Sequence, residues 1–332
     1  MYVLGVETSC DETSVSIVKD GSIVLANEVL SQIDIHKDYG GVVPEIASRE
    51  HVKGITYVFD QAMKKAGVKY QDLGLIAVTK GPGLIGSLLI GVNAAKVISL
   101  NYDIPIVGVH HIAGHIYANH IEHPMEFPLL ALVVSGGHTE LVLMKEHYSF
   151  EKLGETQDDA VGEAYDKIAR VLGLAYPGGP IVDKLAREGK DVFDFPRPMI
   201  DSDDFNFSFS GLKSKVINTH HNLQQRQLEI VPEDFCASFQ EAVTDVLVSK
   251  TIKAKTIYKV KQIIVAGGVA ANSGLRTKLK NKITDVPVYF PRMNYCTDNA
   301  AMIAVAGYFQ YLTNKKTDDL MLNGHSRLNL EG

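Results

Sequence analysis

Tryptophan is absent from the 332 residues, and cysteine is scarce, with Cys10, Cys236 and Cys296 widely scattered. Three cysteines without a CxxC pair suggest no disulfide framework, and a reducing compartment is expected. No run of about 18 apolar residues is evident, so no membrane span is expected. The opening MYVLGVETSC lacks the basic and long apolar regions of a signal peptide. Together these absences predict a cytoplasmic protein. Positive charge is also short: the formal net charge is −6. A chain this acidic lacks the electrostatic signature of a stand-alone nucleic-acid binder. A nucleic-acid substrate therefore demands a local basic patch or a partner that supplies one. The glycine-rich stretch VAGGVAANSGLR at 265–276 is neither GxGxxG nor a Walker loop, so those folds are not supported by it.

What is present is an ordinary globular composition, 45% hydrophobic and 22% charged, with 28 glycines that fall in clusters. The length fits two domains of about 100–200 residues each. VLGVET, TSVSIV and SIVLANEVL read as three strands joined by short turns. A long amphipathic helix follows from Pro44 to Ala66, proline suiting a helix start. LIAVTKGPGLIGSLLIGVNAAKVIS reads as strand, glycine-rich turn and helix, an α/β unit. The strand IPIVGV then runs into a helix, HHIAGHIYANH. From Pro128 the pattern restarts as LLALVVS, GGHT, ELVLMK and SFEKLGET, three strands again, which suggests an internal duplication. Residues 193–212 read as irregular. A helix from Pro232 to Tyr258, the strand QIIVAGG, a helix after Asn272, the strand VPVYF and a last helix from Asp298 complete the chain, with NGHSRLNLEG read as an ordinary tail. The expected division is 1–127 and 128–332, the last helix being free to pack back on the first lobe.

Three groups of residues suggest chemistry. The turns holding Thr8, Ser9, Asp11 and Glu12, and Ser135, Gly136, Gly137 and Thr139, let backbone N–H groups approach an anion. Either turn alone is as well read as a plain hairpin. YPGGP at 176–180 and VAGGVAANSGLR at 265–276 add glycines where a nucleotide lies against a strand end. Asn272 there suits a helix cap, a ligand contact, or both. The third group is HHIAGH. On a helix His111 and His115 are i and i+4, share a face and can share a metal ion, whereas His110 points elsewhere. Position 112 is Ile, not the Glu of an HExxH metalloprotease. Asp298 offers a carboxylate as third ligand, or serves only as a helix N-cap. Asp166, Asp183 and Lys213, taken singly, read as solvated surface.

ETSCDETS, GPGLIGSL, HHIAGH, VSGGHT, GEAYDK, YPGGP, FSFSGLK, GGVAANSGLR and CTDNAAMIA stand in order from residue 7 to residue 304. With these nine motifs the chain resembles the universal tRNA threonylcarbamoyladenosine biosynthesis family, and CDET resembles its bacterial branch. Ala113 departs from the Glu of many bacterial relatives and touches no ligand position. The resemblance implies an α/β, duplicated, two-lobed ATPase fold like that of actin, sugar kinases and heat-shock chaperones, with a nucleotide cleft between lobes. It implies transfer of a threonylcarbamoyl group from threonylcarbamoyl-AMP to N6 of adenosine 37 in tRNAs that read codons beginning with A. His111, His115 and Asp298 are the implied metal ligands, for iron(II) or zinc. Val133, Val134, Ser135, Gly136, Gly137, Asp166, Gly179, Asp183 and Asn272 are the implied contacts to the adenine nucleotide, threonylcarbamoyl-AMP or ATP. Glu12 is implied near the reacting phosphate. The implied partners are tRNA, an inactive paralogue of the same fold and a small P-loop ATPase. Competing readings are a kinase or chaperone-like ATPase of the same fold, a metallopeptidase, and a non-catalytic scaffold.

Overall fold

The computed structural model describes residues 1–331. Two compact units emerge. The first comprises residues 1–125, 145–150 and 291–332, and the second residues 126–144 and 151–290.

The first unit opens with β1 (Tyr2–Glu7), β2 (Glu12–Lys19) and β3 (Ile23–Ser31), followed by the short α1 (Ile33–Lys37) and the long α2 (Pro44–Ala66). Then come β4 (Leu73–Gly81), α3 (Ile85–Tyr102), β5 (Ile106–His110) and α4 (His111–Ala118). The sheet order is β3-β2-β1-β4-β5. The first three strands are antiparallel because turns of four and three residues join them, whereas β1, β4 and β5 are parallel because helices make the crossovers. The parallel strands β1, β4 and β5 are mostly buried and read as nearly continuous apolar runs. Leu4 and Val6 pack with Val58, Phe59 and Ala62 of α2 and Val92 and Ala95 of α3. Val3, Gly5 and Glu7 point to the other face by the two-residue period of a strand.

The second unit repeats the plan. It contains β6 (Leu129–Val134), β7 (Thr139–Met144) and β8 (Glu151–Glu155), then α5 (Val161–Val171), α6 (Gly178–Ala186), α7 (Ser210–Gln225) and α8 (Pro232–Tyr258). β9 (Gln262–Ala266), α9 (Ser273–Lys282) and β10 (Val288–Tyr289) follow. The sheet order β10-β9-β6-β7-β8 is that of the first sheet strand for strand. Shared order and shared pairing directions are what a duplication leaves behind when side chains diverge. At the end of β9, Gly267 has φ +90° and a Cβ there would lie 2.5 Å from the Val134 carbonyl oxygen. Only glycine lets these two strand ends close up.

The chain then returns to the first unit through α10 (Met293–Cys296) and α11 (Ala300–Asn314). α11 lies on β1, β2 and β4 and alongside α4. Its buried face, AAMIAVAG, is mostly Ala and Gly, so the helix sits close to the sheet. A Cβ on Gly5 would come within 2.2 Å of the Ala300 carbonyl oxygen.

Two sequence expectations change here. By length and composition alone α3 is long and apolar enough to cross a membrane. Its few polar residues, such as Asn93 and Lys96, are diluted by Leu, Ile, Val and Ala, and its inner side packs on β4 and α2. The tail is not loose either. Asp318 pairs with Ile106 and Gly108, the His325 N–H donates to the Lys80 carbonyl, and Gly83 donates to the Ser326 carbonyl.

Replacing Gly5 with Ala should push α11 off the sheet and destabilise the protein by about 1–3 kcal/mol. Gly137→Ala is the control, since a Cβ there meets nothing within 4 Å, and it should change stability by less than about 0.5 kcal/mol. Urea unfolding of both variants checks this; equal midpoints would show that the close approach is not required.

Candidate functional site

In the first unit, His111 is the first residue of α4, directly after β5, and His115 lies one turn on. His110 ends β5 and caps the helix by accepting from the Ile112 N–H, while its Nε2 meets the Leu328 carbonyl at 3.1 Å. It precedes the helix and does not lie on it, so its separate role comes from the strand end and not from the helical spacing expected from sequence. The rings of His111 and His115 stand 4.7 Å apart at 84°, edge to face. Both are buried, at 8% and 1% exposure.

Asp298 comes to them from the segment before α11. Its Oδ1 is 3.1 Å from His115 Nε2 and 3.5 Å from His111 Nε2. The N-cap of α11 is Asn299, whose side chain accepts from the Met302 N–H at 3.1 Å. Asp298 is therefore relieved of the capping role that the sequence left open. One nitrogen from each histidine and one carboxylate oxygen lie within 4.8 Å of one another.

This set fits a metal ion. Two ligand atoms each about 2.1 Å from one ion, at angles of about 90–110°, stand roughly 3.0–3.4 Å apart. The separations of Asp298 Oδ1 from the two Nε2 atoms fall at or near that range. Two imidazoles and one carboxylate leave coordination positions open and suit iron(II) or zinc better than a hard ion such as magnesium.

The electrostatics around the trio also favour a cation. Burial alone would lower the His111 imidazole, but the carboxylates of Asp298 and Glu7 outweigh it and raise it to about 9. Glu12, the first residue of β2, is pushed well above the usual carboxylate range by burial and by the negative charges of Asp298 and Asp11. Its Oε1 accepts a hydrogen bond from Ser31 Oγ at 3.1 Å. Burial and the same carboxylates raise the Cys10 thiol, which stays protonated.

Glu7 is the residue that sequence reasoning missed. It ends β1, is fully buried, and lies 3.1 Å from His111 Nδ1. Burial pushes its carboxyl up, but His111 and a hydrogen bond from Ser9 bring it below the ordinary range. The available signal was an acid closing an otherwise apolar strand, VLGVE.

In the second unit, the implied nucleotide contacts form one linked group. The Ser135–Gly137 turn joins β6 to β7 and is closed by a hydrogen bond from the Ser135 N–H to the His138 carbonyl. A Cβ on Gly136 or Gly137 would meet nothing within 4 Å, so the turn presents bare backbone to open space. The Gly162 N–H, at the start of α5, donates to the Ser135 carbonyl. Asp166, on α5, accepts from the N–H groups of Gly178 and Gly179 at 2.8 and 3.3 Å and so caps α6. Burial raises its carboxyl, and these bonds only partly offset that. Asp183, on α6, accepts from the Ser273 N–H and hydroxyl and pairs with Arg187. Burial would raise it, but Arg187 and Ser273 hold it below the carboxylate range. Asn272 caps α9 through its oxygen and donates its amide to Gln240 and Tyr165. Asp166 and Asp183 are thus tied into the fold and are not the solvated surface carboxylates that each suggested alone. Lys213 likewise pairs with Asp159 at 2.5 Å and is not plain surface.

A profile of the family described as tRNA N6-adenosine threonylcarbamoyltransferase matches residues 23–305. A relative of that name from Staphylococcus carnosus (strain TM300) is 58% identical over 99% of this chain and 96% of its own. One from Staphylococcus aureus (strain JH9) is 59% identical over 100% of this chain and 97% of its own. Among solved structures, HypF of T. kodakarensis superposes on 94% of this chain and 48% of its own, with a TM-score of 0.65 and 14% identity. The activator of the 2-hydroxyisocaproyl-CoA dehydratase from Clostridium difficile covers 96% of this chain and 99% of its own, with a TM-score of 0.55 and 15% identity. At such identities the likeness speaks for the fold alone, which is that of the actin and sugar-kinase-like ATPases. The near-full-length identity to the curated relatives speaks for more: the chain belongs to the tRNA N6-adenosine threonylcarbamoyltransferase family.

Proposed function

We propose that this transferase moves the threonylcarbamoyl group from threonylcarbamoyl-AMP to N6 of adenosine 37 in tRNAs that read codons beginning with A. The observation that carries the metal part of this reading is the convergence of His111, His115 and Asp298 within 4.8 Å in a chain of that family. These three residues would hold one divalent ion, iron(II) or zinc. Such an ion supplies Lewis acidity toward the carbamoyl carbonyl or the leaving phosphate.

The chain's own groups do the rest. The turn from Val133 to Gly137 offers backbone to the adenylate, with Gly179, Asp166, Asp183 and Asn272 holding the neighbouring helix starts in place. Glu12 stands beside Asp298 near the reacting region, where a cation would return its carboxyl to the charged form. The adenine amine is a weak nucleophile, so holding it in place contributes much of the rate.

Partners follow from charge and surface. Between Val246 and Thr284 the chain carries Lys250, Lys253, Lys255, Lys259, Lys261, Arg276, Lys278, Lys280 and Lys282, and no Asp or Glu. Lys250, Lys255 and Lys278 are neutralised by Asp204, Asp285, and Glu241 with Asp245; the remaining excess supports phosphate contacts by an acidic chain. Val52 and Tyr57 on α2 and Val97 and Leu100 on α3 are exposed apolar side chains on neighbouring helices. They support association with an inactive paralogue of the same fold, and a small P-loop ATPase completes the assembly. The three free cysteines accord with a cytoplasmic setting.

His111→Ala and His115→Ala should each reduce bound metal from one ion per chain to near zero and lower transfer by about 100-fold or more. Metal analysis and single-turnover assays check this, and full activity in a verified metal-free variant would overturn the catalytic-metal reading. The purified chain with its partners, threonylcarbamoyl-AMP and unmodified tRNA should yield modified adenosine, and a chelator should stop it. ATP turnover that ignores both tRNA and chelator would favour an ATPase instead.

A further inference from the structure

We propose that Glu7 is the positioning residue of the metal centre: its carboxylate fixes the His111 imidazole with the proton on Nδ1 and the bare lone pair of Nε2 turned toward Asp298 and His115. The proposal rests on the metal reading given above.

Three donors converge on this one side chain. Glu7 Oε1 accepts the Ser9 N–H at 2.5 Å, and Oε2 accepts the Thr79 hydroxyl at 2.6 Å. His111 Nδ1 lies 3.1 Å from the same Oε2. Ser9 Oγ is also 3.1 Å from that nitrogen, and a hydroxyl can serve it as donor or acceptor. Glu7 has no exposed surface, so water cannot substitute for any of these partners. A buried carboxylate facing donors only is an obligate acceptor, and the neutral imidazole beside it must present Nδ1–H. The carboxylate is itself held rigidly, since Ser9 follows on the same turn and Thr79 lies on the neighbouring β4.

The arrangement matters because the other tautomer has a competing partner. With the proton on Nε2, His111 would donate it toward Asp298 Oδ1, 3.5 Å away, and occupy the position an ion needs. Nothing equivalent stands behind the second histidine: among the described residues, His115 Nδ1 is buried without a hydrogen-bond partner. The orienting task therefore falls on Glu7 alone. A carboxylate behind a ligand histidine also raises the basicity of the coordinating nitrogen.

Glutamine at this position conserves shape but not acceptor count. If its oxygen faces the Ser9 N–H, its amide faces His111 Nδ1 and forces the proton to Nε2. If the oxygen faces His111, the amide opposes the Ser9 N–H, donor against donor.

The test uses the full chain, with Glu7→Gln and Thr79→Val compared with wild type. Zinc affinity is measured by competition with a chromophoric chelator. Glu7→Gln should bind about 10–100-fold more weakly, whereas Thr79→Val, which removes a neutral donor and leaves the carboxylate, should lose far less. Nitrogen-15 spectra of the metal-free wild type, taken above the ionisation of His111, should show its proton on Nδ1; Glu7→Gln should move it to Nε2. Unchanged zinc affinity in a folded Glu7→Gln chain would overturn the proposal. So would a wild-type spectrum with the proton on Nε2, which needs no variant to fold. If the wild type binds no metal while its proton sits on Nδ1 and moves on substitution, the metal reading fails and the role of Glu7 in setting the tautomer stands.

Discussion

The candidate metal site, the cluster of His111, His115 and Asp298, depends on how closely α11 approaches the first sheet. The helix start is held there by three hydrogen bonds to its otherwise orphaned N–H groups. Asn299 takes the Met302 N–H, Ser14 on β2 takes that of Ala300, and Asn27 on β3 takes that of Ala301. Gly5 removes the side chain that would block the approach, and Gly114 does the same on α4, where a Cβ would lie 2.6 Å from Ile303. Asp298 precedes this pinned start by two residues. Its position beside His111 and His115 is thus set by backbone contacts made elsewhere, and it needs no capping bond of its own.

Charge supplies the second constraint. Glu7, Asp11, Glu12 and Asp298 gather where the first unit has little water to screen them. Left alone, this group settles by protonating Glu12 and by charging His111. A divalent ion resolves the same conflict without protons, and its binding releases those already held. Ligand geometry and electrostatics therefore favour the same occupant.

Much of this was legible in sequence, for identifiable reasons. Pro44 and Pro232 mark the starts of α2 and α8 because proline at a first helical turn costs no hydrogen bond. The i, i+4 spacing put His111 and His115 on one face because α4 is a regular helix. Asp298 and Asn299 were not separable, since adjacent capping residues look alike until the backbone shows which one bends over the helix start. Glu7 was invisible for another reason: its partners, Thr79 and His111, are distant in sequence and meet only once β1, β4 and β5 are side by side. The tail misled because Asp318, His325 and Ser326 are tied down by backbone-to-backbone bonds, which no side-chain pattern announces. Asp166 and Asp183 read as surface because they accept from backbone N–H groups of helix starts distant in sequence, which no side-chain pattern announces.

The matching strand orders of the two sheets have one more consequence. β5 and β10 are corresponding edge strands. The histidines follow the first of them and Asp298 follows the second. All three residues nonetheless lie in the first unit, because the chain re-enters it at Pro291 before delivering Asp298. The trio therefore forms only once this return segment, which follows the second unit in sequence, has packed back.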